Sequence, residues 1–343
     1  MELDFLDVKD DINIVDSFVK ADSIINNPAY KTILCSVSGG SDSDIMLDLI
    51  YRVDLSKKVK YIWFNTGVEY QATKEHLDYL EEKYDIEIIR ERAIKPIPLT
   101  CREYGQPFLN KYVSEMIYRL QKHNFKWEDK PLDELLKEYP KCKSALEWWT
   151  NSKVIKANGQ SMFNINYNRY LKEFMIANPP SFKISSKCCY FVKKNVSKNL
   201  EKEYNADLQI IGVRQAEGGI RSTIYKNCYS INDEKVDTYR PIFWYKENTK
   251  ERYEKKFNII HSDCYKKYGF KRTGCCCCPY GRDLEEELKI TNIYEPMLYR
   301  AVCNIFKDSY EYTRKYREFV AKMKQQDEQI KGQRNIYDYI KNP

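Results

Sequence analysis

A short segment of glycines and serines, residues 38–43 (Ser-Gly-Gly-Ser-Asp-Ser), constrains this chain more than any other feature. The apolar residues 32–37 before it are typical of a buried strand, and the apolar spacing over 44–50 after it predicts a helix. Glycines let the backbone approach a ligand closely, hydroxyls add donors, and a helix start presents unpaired N–H groups. No Gly-Lys-Ser/Thr follows, so this is not a Walker loop. The order strand, loop, helix favours a phosphate-binding loop over the alternative of an ordinary Ser/Gly turn.

The length and charge of the chain narrow the class of protein. It has 343 residues, of which 43% are hydrophobic, enough for one large domain or two ordinary domains. Its net charge of +7, from 57 Lys and Arg against 50 Asp and Glu, is compatible with nucleic acid or with an anionic nucleotide as partner. No run approaches the ~18 apolar residues of a membrane span, and residues 1–4 lack a signal-peptide pattern. We therefore expect a cytoplasmic protein without a membrane partner.

Apolar runs alternate with amphipathic stretches on both sides of the chain's middle. The pattern predicts strands at 33–37, 59–64, 86–89 and 208–213, and helices at 43–53 and 73–84. Short strands that alternate with helices indicate an α/β fold with a doubly wound, mostly parallel sheet. Ligands of such sheets bind at the carboxyl ends of the strands, where both the Ser-Gly-Gly loop and Asn65-Thr66-Gly67 are expected.

Two further regions have a helical pattern. We expect a helical insertion between the two halves of the sheet and a helical C-terminal region. The predicted division is therefore 1–100 as the nucleotide-binding half, 101–180 as the helical insertion, 181–282 as the second half of the α/β domain, and 283–343 as the C-terminal region.

Twelve cysteines are the second strong signal. In a cytosolic chain disulfides are a poor explanation, so metal binding or redox chemistry is favoured. Four cysteines are isolated in the sequence and are expected to be packing residues: Cys35, Cys101, Cys142 and Cys303. The other eight lie between Cys188 and Cys278.

Two cysteine pairs have a spacing that suits a metal centre. Cys275 and Cys278 form a C-x-x-C within a turn, which lets two thiolates converge, whereas Cys188 and Cys189 are adjacent and diverge. Adjacent thiolates suit two different irons better than one ion, so two pairs favour an iron–sulfur cluster over zinc. A lone C-x-x-C would leave zinc, a redox dithiol and a cluster all open. Cys228 and Cys264 are reserve ligands, which could replace one of these four, and Cys276 and Cys277 are not expected to be ligands.

An arginine motif lies between the cysteine pairs. It runs from Gly212 to Arg221 directly after a predicted strand and contains Arg214. A guanidinium recognises phosphate or sulfate oxygens with a planar, permanent charge. Two solvated loop arginines are the alternative, but the position beyond a strand end favours an anion-binding role for Arg214 and Arg221.

The motifs taken together resemble a known superfamily. Residues 38–43 resemble the SGGxDS signature of the PP-loop ATP pyrophosphatases, which have an adenine nucleotide alpha hydrolase-like fold. Within it, the order of the motifs resembles the phosphoadenosine phosphosulfate (PAPS) reductase family: Asn65-Thr66-Gly67-Val68-Glu69, a G-x-R…R motif and a late G-C-x-x-C. The Cys-Cys pair followed by Phe191-Val192-Lys193-Lys194 is similar to the adenylylsulfate (APS) reductases, in which such cysteines hold a 4Fe–4S cluster. The resemblance covers about residues 30–100 and 185–282.

The resemblance implies a set of site residues. ATP and Mg²⁺ are implied at Ser36, Ser38, Gly39, Gly40, Ser41, Asp42, Ser43, Phe64, Asn65, Thr66, Gly67, Glu69, Gly212, Arg214 and Arg221. The implied catalytic residues are Asp42, Arg214 and Arg221, and the implied ligands of a 4Fe–4S cluster are Cys188, Cys189, Cys275 and Cys278.

Two departures from the sulfate-reducing members favour their sulfur-inserting relatives. Those reductases end in Glu-Cys-Gly, whereas no cysteine follows Cys303 here, and their phosphate loop is degenerate, whereas this one is intact. Both features resemble the DNA phosphorothioation and tRNA-thiolating enzymes.

We therefore expect an ATP-dependent iron–sulfur sulfurtransferase. It would adenylate an acceptor, with ATP converted to AMP and pyrophosphate, before sulfur insertion. The expected partners are DNA or tRNA as the acceptor, a sulfur donor such as a cysteine desulfurase, and further copies of the chain in a homo-oligomer. The alternatives are a thiol-dependent reductase of an adenylated sulfate, and a nucleotide-binding defence or DNA-associated component with a structural cluster.

Overall fold

The computed structural model of the chain describes residues 11–154, 161–218, 224–232 and 236–341. The chain divides into two compact units, each built from discontinuous segments. Unit 1 contains Met1–Ile97, Cys189–Cys276 and Glu287–Leu298, and unit 2 contains Pro98–Cys188, Cys277–Glu286 and Tyr299–Pro343.

A mostly parallel sheet forms the centre of unit 1. Its strands within the described residues are β1 Ile33–Ser36, β2 Val59–Asn65, β3 Ile88–Arg92, β4 Leu208–Ile211, β5 Tyr229–Ser230 and β6 Asp237–Tyr239. The spatial order is β3-β2-β1-β4-β6-β5. Only the pairing of β5 with β6 is antiparallel among these strands. The fold class predicted from the sequence, an α/β fold with a mostly parallel sheet, is confirmed.

The helices flank this sheet or belong to unit 2. In chain order they are α1 Ile12–Ile25, α2 Ser41–Val53, α3 Gln71–Tyr84, α4 Ile97–Tyr104, α5 Lys111–Lys122, α6 Leu132–Glu138, α7 Lys143–Trp149, α8 Leu171–Ala177, α9 Lys187–Cys189, α10 Asn195–Glu203, α11 Glu247–Lys256, α12 Asp263–Lys266, α13 Leu284–Tyr294, α14 Pro296–Ile305 and α15 Lys307–Lys341. A π-helical segment, Tyr190–Lys194, connects α9 to α10.

The strand order places a crevice beside β1. From β1 the chain proceeds to β2 and then β3 on one side, whereas β4 pairs with the opposite side of β1. At the point where the strand order reverses, the chain segments that follow two neighbouring parallel strands run in opposite directions. This leaves a crevice outside the carboxyl ends of the two strands, and ligands bind there. In this chain the crevice lies where β1 and β4 end, at Ser36 and Ile211.

The start of β3 and the end of β4 differ from the sequence-based prediction by two residues each. Asp85 ends α3 in a left-handed conformation and the N–H of Ile86 still donates to the carbonyl of Glu81, so β3 begins only at Ile88. Likewise the N–H of Val213 donates to the carbonyl of Ile211 in a tight turn, which ends β4 two residues early.

Helix α2 crosses the core of unit 1 with little of its surface exposed. Residues Ile45 to Ile50 are all buried. Asp48 lies among them and is fully buried, and its carboxylate accepts hydrogen bonds from Arg52 at 2.7 Å, Tyr253 at 2.7 Å and Tyr84 at 2.9 Å. A buried carboxylate is tolerated only when it is paired in this way, so α2 is held rigidly behind the loop that precedes it.

Unit 2 has its own aromatic core. Phe108, Trp148, Trp149 and Phe174 are fully buried there, and Tyr312 of α15 packs with them. Rings this large bury enough apolar surface to stabilise a unit of mostly short helices. No helix in the described residues is both long and apolar enough to cross a membrane.

Candidate nucleotide-binding site

The loop between β1 and α2 has the geometry of an anion-binding turn. Gly39 has a φ of +67°, and a Cβ there would lie 2.9 Å from Cγ2 of Thr73, so only glycine fits without strain. The N–H of Ser38 donates to the hydroxyl of Ser43 at 2.8 Å, which closes the loop on itself. Gly40 precedes α2 in an extended conformation and has no side chain with which to cap the helix. The first turn of α2 is therefore available to a ligand.

Tyr265 covers one of the N–H groups at this helix start. Its hydroxyl accepts a hydrogen bond from the N–H of Ser41 at 3.0 Å and lies 3.4 Å from the hydroxyl of Thr273. A Cβ on Gly40 would lie 3.1 Å from that Thr273 hydroxyl. The two residues come from far along the chain, and they border the loop closely.

Arg214 reaches the loop from the end of β4. Its Nε donates to Asp42 at 2.8 Å and its Nη1 donates to Glu247 at 3.0 Å. The side chain is 90% buried. Asp42 and Arg214, both predicted from the sequence as site residues, therefore meet at the crevice between β1 and β4.

Lys250 of α11 also reaches the loop, although no sequence motif points to it. Its Nζ lies 2.6 Å from the hydroxyl of Ser41 and 3.1 Å from Asp42. The residue is only 9% exposed, which is unusual for a lysine. Glu247, one turn earlier on α11, lies 4.0 Å from the same ammonium.

A buried network of two histidines and two carboxylates lies behind the loop. Asp44 is 1% exposed, and its carboxylate lies 2.7 Å from Nδ1 of His261 and 3.1 Å from Nε2 of His76. The other ring nitrogen of His261 lies 2.9 Å from Glu254 of α11. Burial lowers the pKa of His261, but the bonds to Asp44 and Glu254 outweigh it and raise that pKa to about 9. His261 is therefore an imidazolium at neutral pH and links α2 to α11.

The Thr-Gly element after β2 adjoins a thiol. The hydroxyl of Thr66 donates to Glu69 at 2.5 Å, and it also hydrogen bonds with the thiol of Cys275. Burial is the main reason that the pKa of Cys275 is raised to about 11, with Lys193 opposing this and Glu69 and Cys189 adding to it. Burial likewise raises the pKa of the Glu69 carboxyl. Thr66, Glu69, Lys193, Cys189 and Cys275 therefore form one polar cluster in unit 1.

The four predicted cluster ligands are divided between the two units. Cys189 and Cys275 belong to unit 1, and Cys188 and Cys278 belong to unit 2. In the residues that the structure describes, no group of three or more His, Cys, Asp or Glu side chains is arranged to hold a metal ion. The 4Fe–4S cluster therefore stays a prediction.

The reserve cysteines have other surroundings. Cys264 is fully buried on α12, where its sulfur lies 3.6 Å from the hydroxyl of Thr73. Cys228 lies near Tyr239, the last residue of β6, and near Arg240, which follows it.

The remaining predicted site residues have the following places. Ser36 ends β1, Phe64 and Asn65 end β2, and a Cβ on Gly212 would lie 3.5 Å from the carbonyl oxygen of Asp42. The amide oxygen of Asn65 accepts from the N–H of Gly67 at 3.0 Å, which fixes the turn after β2. Arg221 lies outside the described residues.

Comparison with protein families agrees with this loop and strand arrangement. Residues 32–148 match the family model of the phosphoadenosine phosphosulfate reductase domain. The matched segment is about a third of the chain, and over it the chain is similar to the PAPS reductase domain. The match includes the phosphate loop and the Thr-Gly element, and it ends before Arg214 and the cysteine pairs. No curated protein sequence matches the chain significantly.

Solved structures of several enzymes are similar to this chain. The PAPS reductase from Candida auris in a phosphate complex is 11% identical, with 77% of this chain and 89% of that chain covered at a TM-score of 0.40. The NH3-dependent NAD synthetase from Campylobacter jejuni is 12% identical, with 88% and 94% covered at a TM-score of 0.36. The U34-tRNA thiolase NcsA from Methanococcus maripaludis, solved with its 4Fe–4S cluster, is 13% identical, with 90% and 80% covered at a TM-score of 0.37.

Proposed function

We propose that the protein binds ATP at the loop of residues 38–43 and cleaves it between the α and β phosphates to activate an acceptor for sulfur transfer. The observation that supports this most directly is the pairing of Arg214 with Asp42, 2.8 Å apart, at the mouth of an intact phosphate loop. A helix start that no Gly40 side chain caps and a guanidinium beside it together offer the hydrogen-bond donors that a triphosphate requires.

The proposed reaction has two steps. In the first, an oxygen of the acceptor attacks the α-phosphorus of ATP, the bond to the bridging oxygen breaks, and pyrophosphate leaves while the acceptor oxygen loses its proton. In the second, hydrosulfide attacks the activated carbon, a C–S bond forms, the C–O bond breaks, and AMP leaves. Both steps are substitutions in which no atom changes its oxidation state. The reaction therefore needs no oxidant or reductant.

The residues of the loop have separate roles in the first step. Backbone N–H groups at the start of α2 and the hydroxyls of Ser38 and Ser41 would bind the β and γ phosphates. Arg214 would stabilise the negative charge that develops at the α-phosphate in the transition state. A hydrogen-bond donor that is already oriented in a site shielded from water lowers the barrier most at the atoms where charge develops. Asp42 keeps Arg214 oriented before the nucleotide arrives.

Two cofactors belong to the proposal. Mg²⁺ would neutralise phosphate charge when bound. A 4Fe–4S cluster, when bound by Cys188, Cys189, Cys275 and Cys278, would supply a site for sulfur. Nucleic acid as the acceptor, a cysteine desulfurase as the donor and a homo-oligomeric, cytoplasmic protein likewise stay predictions.

The test is a product assay with purified protein, ATP, Mg²⁺, sulfide, and tRNA or DNA as the acceptor. We expect AMP and pyrophosphate in equal amounts. We expect Asp42→Ala to abolish both while the protein stays folded, with a lower melting temperature because Arg214 and Lys250 lose the carboxylate that they share. Release of ADP and phosphate, or failure of the wild type to bind ATP, would overturn the proposal.

Reduction of an adenylated sulfate is the second candidate, and the match of residues 32–148 to the PAPS reductase domain favours it. In that case a thiol supplied by a partner would attack the sulfonyl sulfur of PAPS or APS and release the adenosine phosphate. Sulfite formed from PAPS or APS with a dithiol reductant, without consumption of ATP, would identify this activity. ATP binding with no turnover under either condition would instead favour a nucleotide-sensing component.

A further inference from the structure

We propose that Lys250 is a phosphate-binding residue of the loop, and that its ammonium contacts the β or γ phosphate of the bound nucleotide. This inference rests on the proposed function and adds to it a residue from α11, well outside the sequence motifs. It also assigns a positioning role to His261, which holds α11 against α2.

The position of the ammonium is the first argument. The Nζ of Lys250 lies 2.6 Å from the hydroxyl of Ser41, which is the first residue of α2. An anion at a helix start lies against the first N–H groups of that helix. Any anion that binds there therefore comes within reach of this ammonium, which has three donors in total.

The burial of Lys250 is the second argument. Only 9% of the residue is exposed, whereas Lys255 on the same helix is exposed. A lysine loses solvation and side-chain entropy when it is buried, so such a residue is rare unless its charge is used. Here the buried charge is directed at the loop.

The contacts of the Asp42 carboxylate with two cations are the third argument. Its carboxylate lies 3.1 Å from Lys250 on one oxygen and 2.8 Å from Arg214 on the other. One carboxylate thus holds two buried cations together at the loop. Glu247 also pairs with Arg214 at 3.0 Å and lies 4.0 Å from Lys250. Two adjacent cations beside a helix start can bind two phosphate groups of one polyphosphate in exchange for these carboxylate contacts.

A chain of ion pairs fixes Lys250 in place. Glu254, one turn after Lys250 on α11, lies 3.8 Å from its ammonium and 2.9 Å from Nε2 of His261. His261 in turn lies 2.7 Å from the buried Asp44 of α2. The helix that carries Lys250 is therefore tied to the helix that begins at the phosphate loop.

The experiment is a calorimetric titration of ATP and of AMP, at one Mg²⁺ concentration, into the wild type and three variants. Lys250→Met should weaken ATP binding by at least about tenfold and AMP binding by less than about threefold, because AMP has no β or γ phosphate. Lys250→Arg, which keeps the charge, should retain most of the ATP affinity and guards against a folding defect in Lys250→Met. Lys255→Met is the matched control and should bind both nucleotides as the wild type does.

A double-mutant cycle tests the positioning role. If His261 acts through Lys250, then His261→Gln should weaken ATP binding in the wild-type background and have no further effect in the Lys250→Met background. Equal effects in both backgrounds would show that His261 does not act through Lys250.

The outcomes separate this inference from the proposed function. If the wild type fails to bind ATP, the proposed function itself is wrong. If the wild type binds ATP and Lys250→Met binds it equally well, or loses ATP and AMP affinity to the same extent, then Lys250 does not contact the β or γ phosphate and the inference is overturned.

Discussion

The guanidinium of Arg214 and the carboxylate of Asp42 are 172 residues apart in the sequence and 2.8 Å apart in the structure. Asp42 follows β1 and Arg214 follows β4, so the pair spans the crevice at which the strand order reverses. Since parallel strands deliver their carboxyl ends to one edge, two motifs from distant parts of the chain are brought to a single site.

Replacement of Arg214 by lysine tests whether the planar guanidinium, and not only its positive charge, is required. Arg214 donates from Nε to Asp42 and from Nη1 to Glu247, and a lysine ammonium cannot reproduce both bonds with one planar group. We expect Arg214→Lys to lower the rate of AMP formation by about tenfold or more, with a melting temperature close to that of the wild type. Arg252→Lys is the matched control, because Arg252 is an exposed arginine of α11 paired with Asp11 at 2.9 Å. Full activity in Arg214→Lys would mean that only charge matters at this position.

The strand-loop-helix unit around Gly39 could be predicted from the sequence because its signals are local. Apolar spacing, glycines and hydroxyls all lie within about twenty residues there. Arg214 could be predicted because it directly follows a strand. Nothing comparable pointed to Lys250, since it belongs to a polar helix, Glu247–Lys256, whose composition is typical of a solvent-exposed surface.

Tertiary packing alone identifies the network behind the loop. His261 precedes a short helix and belongs to no sequence motif, and the partners of its ring, Asp44 and Glu254, come from separate helices. The scarcity of histidine, three in 343 residues, was the one available signal. It could not show that His76 and His261 lie beside the same carboxylate.

Gly39 and Gly269 form a matched pair for testing the loop. Both have positive φ, +67° and +71°, but a Cβ on Gly39 would meet Thr73 at 2.9 Å whereas a Cβ on Gly269 would meet nothing within 4 Å. Each alanine variant should lose about 1–2 kcal/mol of stability from the left-handed backbone. Only Gly39→Ala should also lose ATP affinity, because the loop must shift to relieve the contact. Equal ATP affinity in the two variants, measured by titration, would argue against a nucleotide at this loop.

The melting temperature should depend on pH through His261. Its pKa of about 9 in the folded protein lies above the ordinary value of 6.5, so its protonation stabilises the fold fully below about pH 6.5. That contribution, at most about 3 kcal/mol, is lost as the pH rises through about 9. The charged and titratable groups that face the ring are Asp44, Glu254 and Tyr265, with His76 beyond Asp44.

The variant His261→Gln isolates this effect. The difference in melting temperature between the wild type and His261→Gln should be largest near pH 6 and should shrink as the pH approaches 10. His123→Gln, at the end of α5, is the control and should leave the wild-type pH profile unchanged. A difference that stays constant across this interval would show that His261 is not charged in the folded protein.

The last prediction concerns the cysteines. Burial is the main reason that the pKa of Cys275 is raised, with a smaller contribution from Cys189, so this thiol is protonated without a metal. Iron ligation requires thiolates, and a bound cluster would therefore replace the proton of each ligand cysteine. After anaerobic purification we expect iron and sulfide in the wild type. Cys189→Ser and Cys275→Ser should lose both, as should Cys188→Ser and Cys278→Ser.

Three further serine variants decide how that result is interpreted. Cys303→Ser should keep its iron, because Cys303 lies beside Tyr299 and Cys277 in unit 2 and is the matched control for loss of a thiol. Cys264→Ser and Cys228→Ser test whether one of these reserve cysteines replaces a predicted ligand. If either variant loses iron while Cys188→Ser keeps it, then Cys188 is not a ligand and the reserve cysteine supplies the fourth sulfur. Zinc in place of iron, lost only from Cys275→Ser and Cys278→Ser, would indicate a structural metal, since two thiolates in a C-x-x-C turn can converge on a single ion without help from the adjacent pair.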